Sequence, residues 1–157
     1  MGNSKIIIYP TAPVIFSTQI PIRIGDINYG KHLGHVELIG ILHEARVQFL
    51  AGLGYSELDI EGVGLILREL TVQYKAQVYY GQQLHIELFI SDWSNFGFDL
   101  SYRISTTPLL PSLSTKTTGP TIPATYLVAM ARTTMLFFDY TRQKPASVPP
   151  VFKNRIG

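Results

Sequence analysis

Cysteine is absent from all 157 residues, and charged side chains make up only 15% of them. The first absence excludes disulfides, thiolate nucleophiles and cysteine metal sites, and it fits a reducing compartment. The second leaves 13 basic against 11 acidic residues, a formal charge of +2. No basic block interleaves with aromatics, so a nucleic-acid footprint is not expected. Long hydrophobic runs are missing too. Lys5 followed by Ile6, Ile7 and Ile8 is cut off by Pro10 and Pro13, too short for a signal peptide or membrane span. Ile6 also stands where a myristoylation signal needs Ser or Thr. The expectation is a soluble, cytoplasmic protein without lipid anchor or membrane partner.

What is present is apolar material, 46% of the chain, enough for one domain over 1–157 to bury a core without staples. Val14 to Ile24 is rich in β-branched residues and reads as a strand, with Pro21 marking an edge or bulge. From Val36 to Leu50 the period becomes helical. Leu38, Ile39, Leu42, Ala45, Phe49 and Leu50 share one face, Glu37, Glu44 and Gln48 the other. Gly52 and Gly54 end the helix, and Gly40 inside it costs roughly 1 kcal/mol relative to alanine. Arg46 falls within the apolar face and is expected to reach a buried acid or carbonyl.

Beyond Gly64 the period falls to two. Strands are expected at Leu65–Tyr74, Gln83–Asp92, Phe98–Ser105 and Thr125–Tyr140. The Pro/Ser/Thr-rich stretch 106–123 reads as a mobile insertion loop, and the Pro-rich tail 144–157 as a segment along the surface. One long helix and five strands make an α+β domain with the helix laid across an antiparallel sheet. Such a sheet has edges to cover, so a homodimer or homotetramer is expected.

The chemistry concentrates in Asp26-Ile27-Asn28-Tyr29-Gly30-Lys31-His32-Leu33-Gly34-His35, directly before the helix. A helix start offers free N–H groups and partial positive charge, suited to an oxyanion. The backbone donors here would be Gly34, His35 or Val36. Three histidines, His32, His35 and His43, lie near this corner, but no pair stands at i and i+4 and no carboxylate spacing accompanies them, so a metal site is not expected. His32 or His35 could instead carry a proton.

This element order, with the run from Arg23 to Leu50, resembles the hotdog-fold acyl-CoA thioesterases of the 4-hydroxybenzoyl-CoA thioesterase type. Tyr74-Lys75, Tyr80-Gly81-Gln82-Gln83-Leu84 and Met135-Leu136-Phe137-Phe138-Asp139 add to the likeness, which spans nearly the whole chain apart from 106–123. The resemblance implies a hotdog fold, with a long central helix wrapped by an antiparallel sheet of about five strands. It implies hydrolysis of an acyl-CoA to free acid and CoA at a dimer-interface site, with coenzyme A as part of the substrate and no separate cofactor.

Aligned on Glu44-Ala45-Arg46, the family's Asp-x-Asp pattern puts its first acid on Asp26 and its catalytic carboxylate on Asn28. An amide cannot take a proton from water, though Asn28 could orient one. Asp26 could serve as an acid or cap its loop. Other hotdog thioesterases, of the phenylacetyl-CoA and Arthrobacter types, carry an acid about two turns into the helix, which makes Glu44 the alternative base. The expected catalytic set is therefore Glu44, Asn28, Asp26 and His35, with Tyr29 and His32 against the substrate. Lys75, Arg68, Arg103 and Arg132 are available for the CoA phosphates. The alternative function is an acyl-CoA or acyl-carrier-protein binding module that kept the fold and lost the base.

Overall fold

The computed structural model describes residues 11–108 and 125–157. The N-terminal apolar run and most of the expected insertion loop lie outside the described residues.

The chain order is β1 (Phe16–Pro21), a 3-10 turn (Ile24–Asp26), α1 (His35–Gly52), β2 (Gly64–Tyr74), β3 (Gln83–Trp93), β4 (Gly97–Thr106), β5 (Tyr126–Asp139), β6 (Lys144–Pro145) and α2 (Pro150–Ile156). The strands form one antiparallel sheet in the order β1-β3-β4-β5-β2, with β6 added to β5. The sheet and its 18-residue helix have the hotdog architecture that the resemblance implied.

Strand periodicity sets the core. On β3, Leu84, Ile86 and Leu88 point inward, and on β4 Leu100, Tyr102 and Ile104 do the same. The register places Leu84 opposite Thr106, Ile86 opposite Ile104 and Leu88 opposite Tyr102. Bulges at the break between Ile90 and Asp92 and between Leu67 and Glu69 reset the alternation. From α1, Leu38, Ile41, Leu42, Ala45, Phe49 and Leu50 close over this surface. Ile41 belongs to the buried face and Ile39 is only half-buried. The helix is thus turned slightly from the expected stripe.

Gly54 ends α1 for a geometric reason. It sits at φ +81, and the N–H groups of Gly54 and Tyr55 donate to the carbonyls of Ala51 and Leu50, the paired closure of a Schellman motif. At Gly40 a Cβ would meet nothing within 4 Å, so no packing within the subunit explains that glycine.

Most side chains of the 144–157 tail are exposed, yet the segment is docked. Pro145 and Lys144 pair with β5, and α2 drives Phe152 to 0% exposure. Its ring meets Tyr55, Trp93, Phe98 and Phe137 at centroid distances of 5.5–6.5 Å. Arg155 Nη1 donates to the Leu53 carbonyl at 2.8 Å. A lone Phe in a Pro-rich segment has no period to announce its burial.

Candidate functional site

The corner before α1 is built by hydrogen bonds within its own sequence. Asp26 is buried, and its carboxylate accepts from the Arg23 N–H at 2.8 Å, from Nε at 3.2 Å and from Nη2 at 3.1 Å. Burial alone would raise the Asp26 carboxyl, but the Arg23 hydrogen bonds and charge together hold it below the usual carboxylate range. The Asp26 carbonyl accepts the Gly34 N–H at 3.0 Å. Asp26 therefore fixes where α1 begins.

A tight loop follows. The Asn28 N–H donates to the His32 carbonyl, and the Lys31 N–H to the Asn28 carbonyl. Asn28 Oδ1 accepts the Gly30 N–H at 2.8 Å, an Asx turn. Lys31 takes the left-handed conformation at φ +66. The Leu33 N–H donates to the Val78 carbonyl at 2.8 Å, tying the loop to the segment after β2.

Between these pieces lies a cavity of about 330 Å³ lined by Asn28, His32, Leu33, Gly34, His35, Leu38, Tyr74, Lys75, Ala76, Gln77, Val78 and Val128. Leu33, Leu38, Val78 and Val128 make its apolar part. Asn28, His32, His35, Tyr74, Lys75 and Gln77 supply the polar groups. Among the described residues no carboxylate lines it.

Of the candidate residues, the structure brings Asn28, His32, Gly34 and His35 together at this cavity. It does not bring four others. Asp26 is turned into its bond with Arg23. Tyr29, expected against substrate, is fully exposed. Val36 is exposed and absent from the lining. Glu44 lies on the solvent face of α1, where Gln48 Nε2 donates to it at 2.9 Å. Nine residues separate it from His35, about 13 Å of helix.

The backbone donors also sort themselves. Gly34 cannot serve an oxyanion, because its N–H is already given to Asp26. The first-turn amides of His35 and Val36 have no acceptor one turn earlier in the helix. A Cβ at Gly34 would meet only the Glu37 carboxylate, the far end of a flexible side chain that folds back over the helix start and could swing away.

Tyr74 and Gln77 are not among the site residues expected from sequence, and Lys75 is there only as one of four cations available for the CoA phosphates. The Tyr74 hydroxyl donates to the His35 carbonyl at 2.9 Å, and its ring meets the His35 ring edge-on at 6.5 Å. Burial pushes the Tyr74 hydroxyl pKa up, which keeps that donor protonated. The signal was the end of the β2 alternation, where an aromatic and a cation stand together at a strand terminus. Of the other cations, Arg103 pairs with Glu87 at 2.6 Å and Arg132 faces Asp99 at 3.9 Å. His43 is drawn to Glu57 instead of the cavity, and Arg46 reaches the same carboxylate at 2.6 Å. Among the described residues no three His, Asp or Glu form a metal-binding group, and no helix is long and apolar enough to cross a membrane.

A family model described as the thioesterase-like superfamily matches residues 22–156. No curated protein sequence shows significant similarity to the chain. Among solved structures, a 1,4-dihydroxy-2-naphthoyl-CoA thioesterase from Synechocystis is similar with a TM-score of 0.70 at 20% identity, covering 90% of this chain and 94% of that one. A 4-hydroxybenzoyl-CoA thioesterase, as an aspartate-to-asparagine mutant complexed with 4-hydroxybenzoyl-CoA, matches with a TM-score of 0.73 at 19% identity over 90% of this chain and 98% of that one. A Staphylococcus aureus protein in complex with CoA gives 0.72 at 14% identity over 92% and 82%. At these identities the likeness is one of fold.

Proposed function

Because the chain belongs to the thioesterase-like superfamily, we propose that it is an acyl-CoA thioester hydrolase, releasing free acid and CoA from a compact acyl group. The observation that carries this reading is the cavity at the start of α1, where an apolar end meets a helix amide without an acceptor. A thioester carbonyl directed at the His35 N–H would have its developing negative charge met by a fixed donor and the helix dipole. The acyl group would then rest against Leu33, Leu38, Val78 and Val128. A volume of about 330 Å³ suits a small ring or short chain and leaves the nucleotide of CoA outside. Lys75, at the rim, is the cation placed to meet its phosphates.

A second subunit would complete the site. β2 is a sheet edge, and Leu67, Tyr74, Tyr29, Val36 and Tyr80 are apolar or aromatic side chains exposed on the single chain. Pairing two β2 edges would cover such residues and bring the partner's surface over the cavity mouth. A homotetramer would follow from two such dimers.

Thiol release from benzoyl-, acetyl-, octanoyl- and palmitoyl-CoA tests the proposal directly. Turnover is expected with the compact acyl groups, and no release above the buffer rate with any of them would refute it. One observation favours a second reading, an acyl-CoA or acyl-carrier-protein binding module: no carboxylate lines the cavity, and Asn28 stands where the resemblance puts one. The 4-hydroxybenzoyl-CoA thioesterase neighbour holds its thioester as an aspartate-to-asparagine mutant. Calorimetric binding of benzoyl-CoA without thiol release would select the binding module.

A further inference from the structure

We propose that His32 is the general base of this hydrolysis, in the place of a carboxylate; the assignment rests on the hydrolase reading above. The cavity offers few groups able to take a proton. Asn28 and Gln77 are amides, Lys75 is a cation, and the Tyr74 hydroxyl is committed as a donor to the His35 carbonyl. Two imidazoles remain.

They are not equivalent. His32 Nδ1 lies 3.1 Å from the Leu33 carbonyl oxygen. A carbonyl only accepts, so Nδ1 of the neutral ring carries the proton and Nε2 keeps its lone pair. The same contact fixes the ring's orientation on a half-buried side chain. His35 has no comparable hydrogen bond from its ring; it is exposed and held only edge-on by Tyr74.

The lone pair of His32 also points to the right neighbour. Nε2 and Asn28 Oδ1 each stand 3.1 Å from the position a Cβ on Gly30 would take. The absence of that Cβ leaves the two side chains facing each other across the glycine. Asn28 Oδ1 takes the Gly30 N–H with one lone pair, and an amide oxygen has a second. That lone pair can hold one proton of a water whose other proton is directed to Nε2. Charged and titratable groups around His32 are His35 and Glu37 on α1 and Tyr74 and Lys75 at the end of β2.

The step then balances without further reagents. The water oxygen bonds to the carbonyl carbon as its proton passes to His32 Nε2, and the carbonyl electron pair moves onto the oxygen held by the His35 N–H. Collapse breaks the C–S bond with its electron pair leaving on sulfur. The imidazolium returns the proton to that sulfur, giving acid and thiol.

His32→Asn separates base from scaffold, because an asparagine amide can still donate to the Leu33 carbonyl but has nothing in place of Nε2. With the best acyl-CoA of the panel, kcat is expected to fall about 100-fold or more with KM within about threefold. The ascending limb of kcat against pH should disappear with it. His32→Ala should lose as much and regain part of its rate when imidazole is added. A His32→Asn enzyme within about threefold of wild type overturns the base assignment while leaving the hydrolase reading standing. So does a His32→Ala enzyme that imidazole does not help. A wild type that turns over no acyl-CoA overturns the hydrolase reading itself and the base with it.

Discussion

Replacing Glu57 by glutamine isolates the charge that holds α1 to the segment leading into β2. Arg46 Nε donates to Glu57 Oε1 at 2.6 Å, with side-chain exposures of 8% for the arginine and 25% for the glutamate. His43 Nε2 donates to the other oxygen at 2.9 Å, and the buried Tyr102 ring lies beside Arg46. Glutamine keeps the volume and one acceptor but leaves the Arg46 guanidinium without its counter-charge. Removing one partner of a fully buried pair costs about 3–5 kcal/mol. The quarter of Glu57 in water and the retained neutral acceptor bring the expectation to about 2 kcal/mol. For a chain of this size that is a fall in Tm of about 4–8 °C.

The pH dependence fixes the sign. Burial would raise the Glu57 carboxyl, but the hydrogen bonds from His43 and Arg46 and their charges leave it below the usual glutamate range. A carboxyl depressed in the folded state adds stability that is fully present above its unfolded pKa and lost as pH falls through the folded one. Thermal unfolding followed by circular dichroism should therefore show a wild-type advantage at pH 7 that narrows in acid. Asp26 and Glu87 are depressed by their own arginines and hold acid-labile stability too, so the difference between the two proteins, not the wild-type curve, is the measurement. A gap under about 0.5 kcal/mol at pH 7, or one that does not narrow, would refute the reasoning.

Phe152→Ala should cost about 3–5 kcal/mol by chemical denaturation, since the ring is wholly buried among four aromatic residues; a cost below 1 kcal/mol would mean that α2 is not docked in solution. Gly40→Ala should raise stability by about 1 kcal/mol because the added methyl meets nothing, and a loss in the same thermal assay would show that something packs there. Asn28→Asp keeps the acceptor for the Gly30 N–H and sets a negative charge facing His32. It should move the ascending limb of kcat to higher pH, as a carboxylate favours the imidazolium, and an unmoved limb would deny that the two side chains interact.

Local pattern carried much of this molecule. The alternation on β3, the apolar stripe of α1 and its glycine stop are visible within a few residues of sequence, and so is half of the cavity, because Asn28, His32, Gly34 and His35 are chain neighbours. The other half is not local. Tyr74 and Val128 reach the cavity through the pairing of β2 with β5, where Tyr74 lies opposite Ala129. Glu44 is a residue whose distance from its own chain's cavity the sequence does not display. Its residue type suits a base, but helical rise carries it about 13 Å from the helix start, a distance that counting turns hides. The anchoring of the tail was not legible, because proline content reports backbone freedom and says nothing of a single buried ring.

Asp26 and Asn28 divide two tasks that a pair of acids would share. The acid that is present is spent on Arg23 and, through its carbonyl, on the Gly34 N–H, so it sets the helix start without entering the cavity. The position facing the cavity is neutral. That choice matters for the field at the bound carbonyl, since the Glu37 carboxylate already lies over the first turn and a second carboxylate there would offset more of the partial positive charge that the turn presents. A neutral imidazole acting as the base would add nothing to that offset, and would become a cation only as the oxyanion forms, when opposite charge beside it is stabilising.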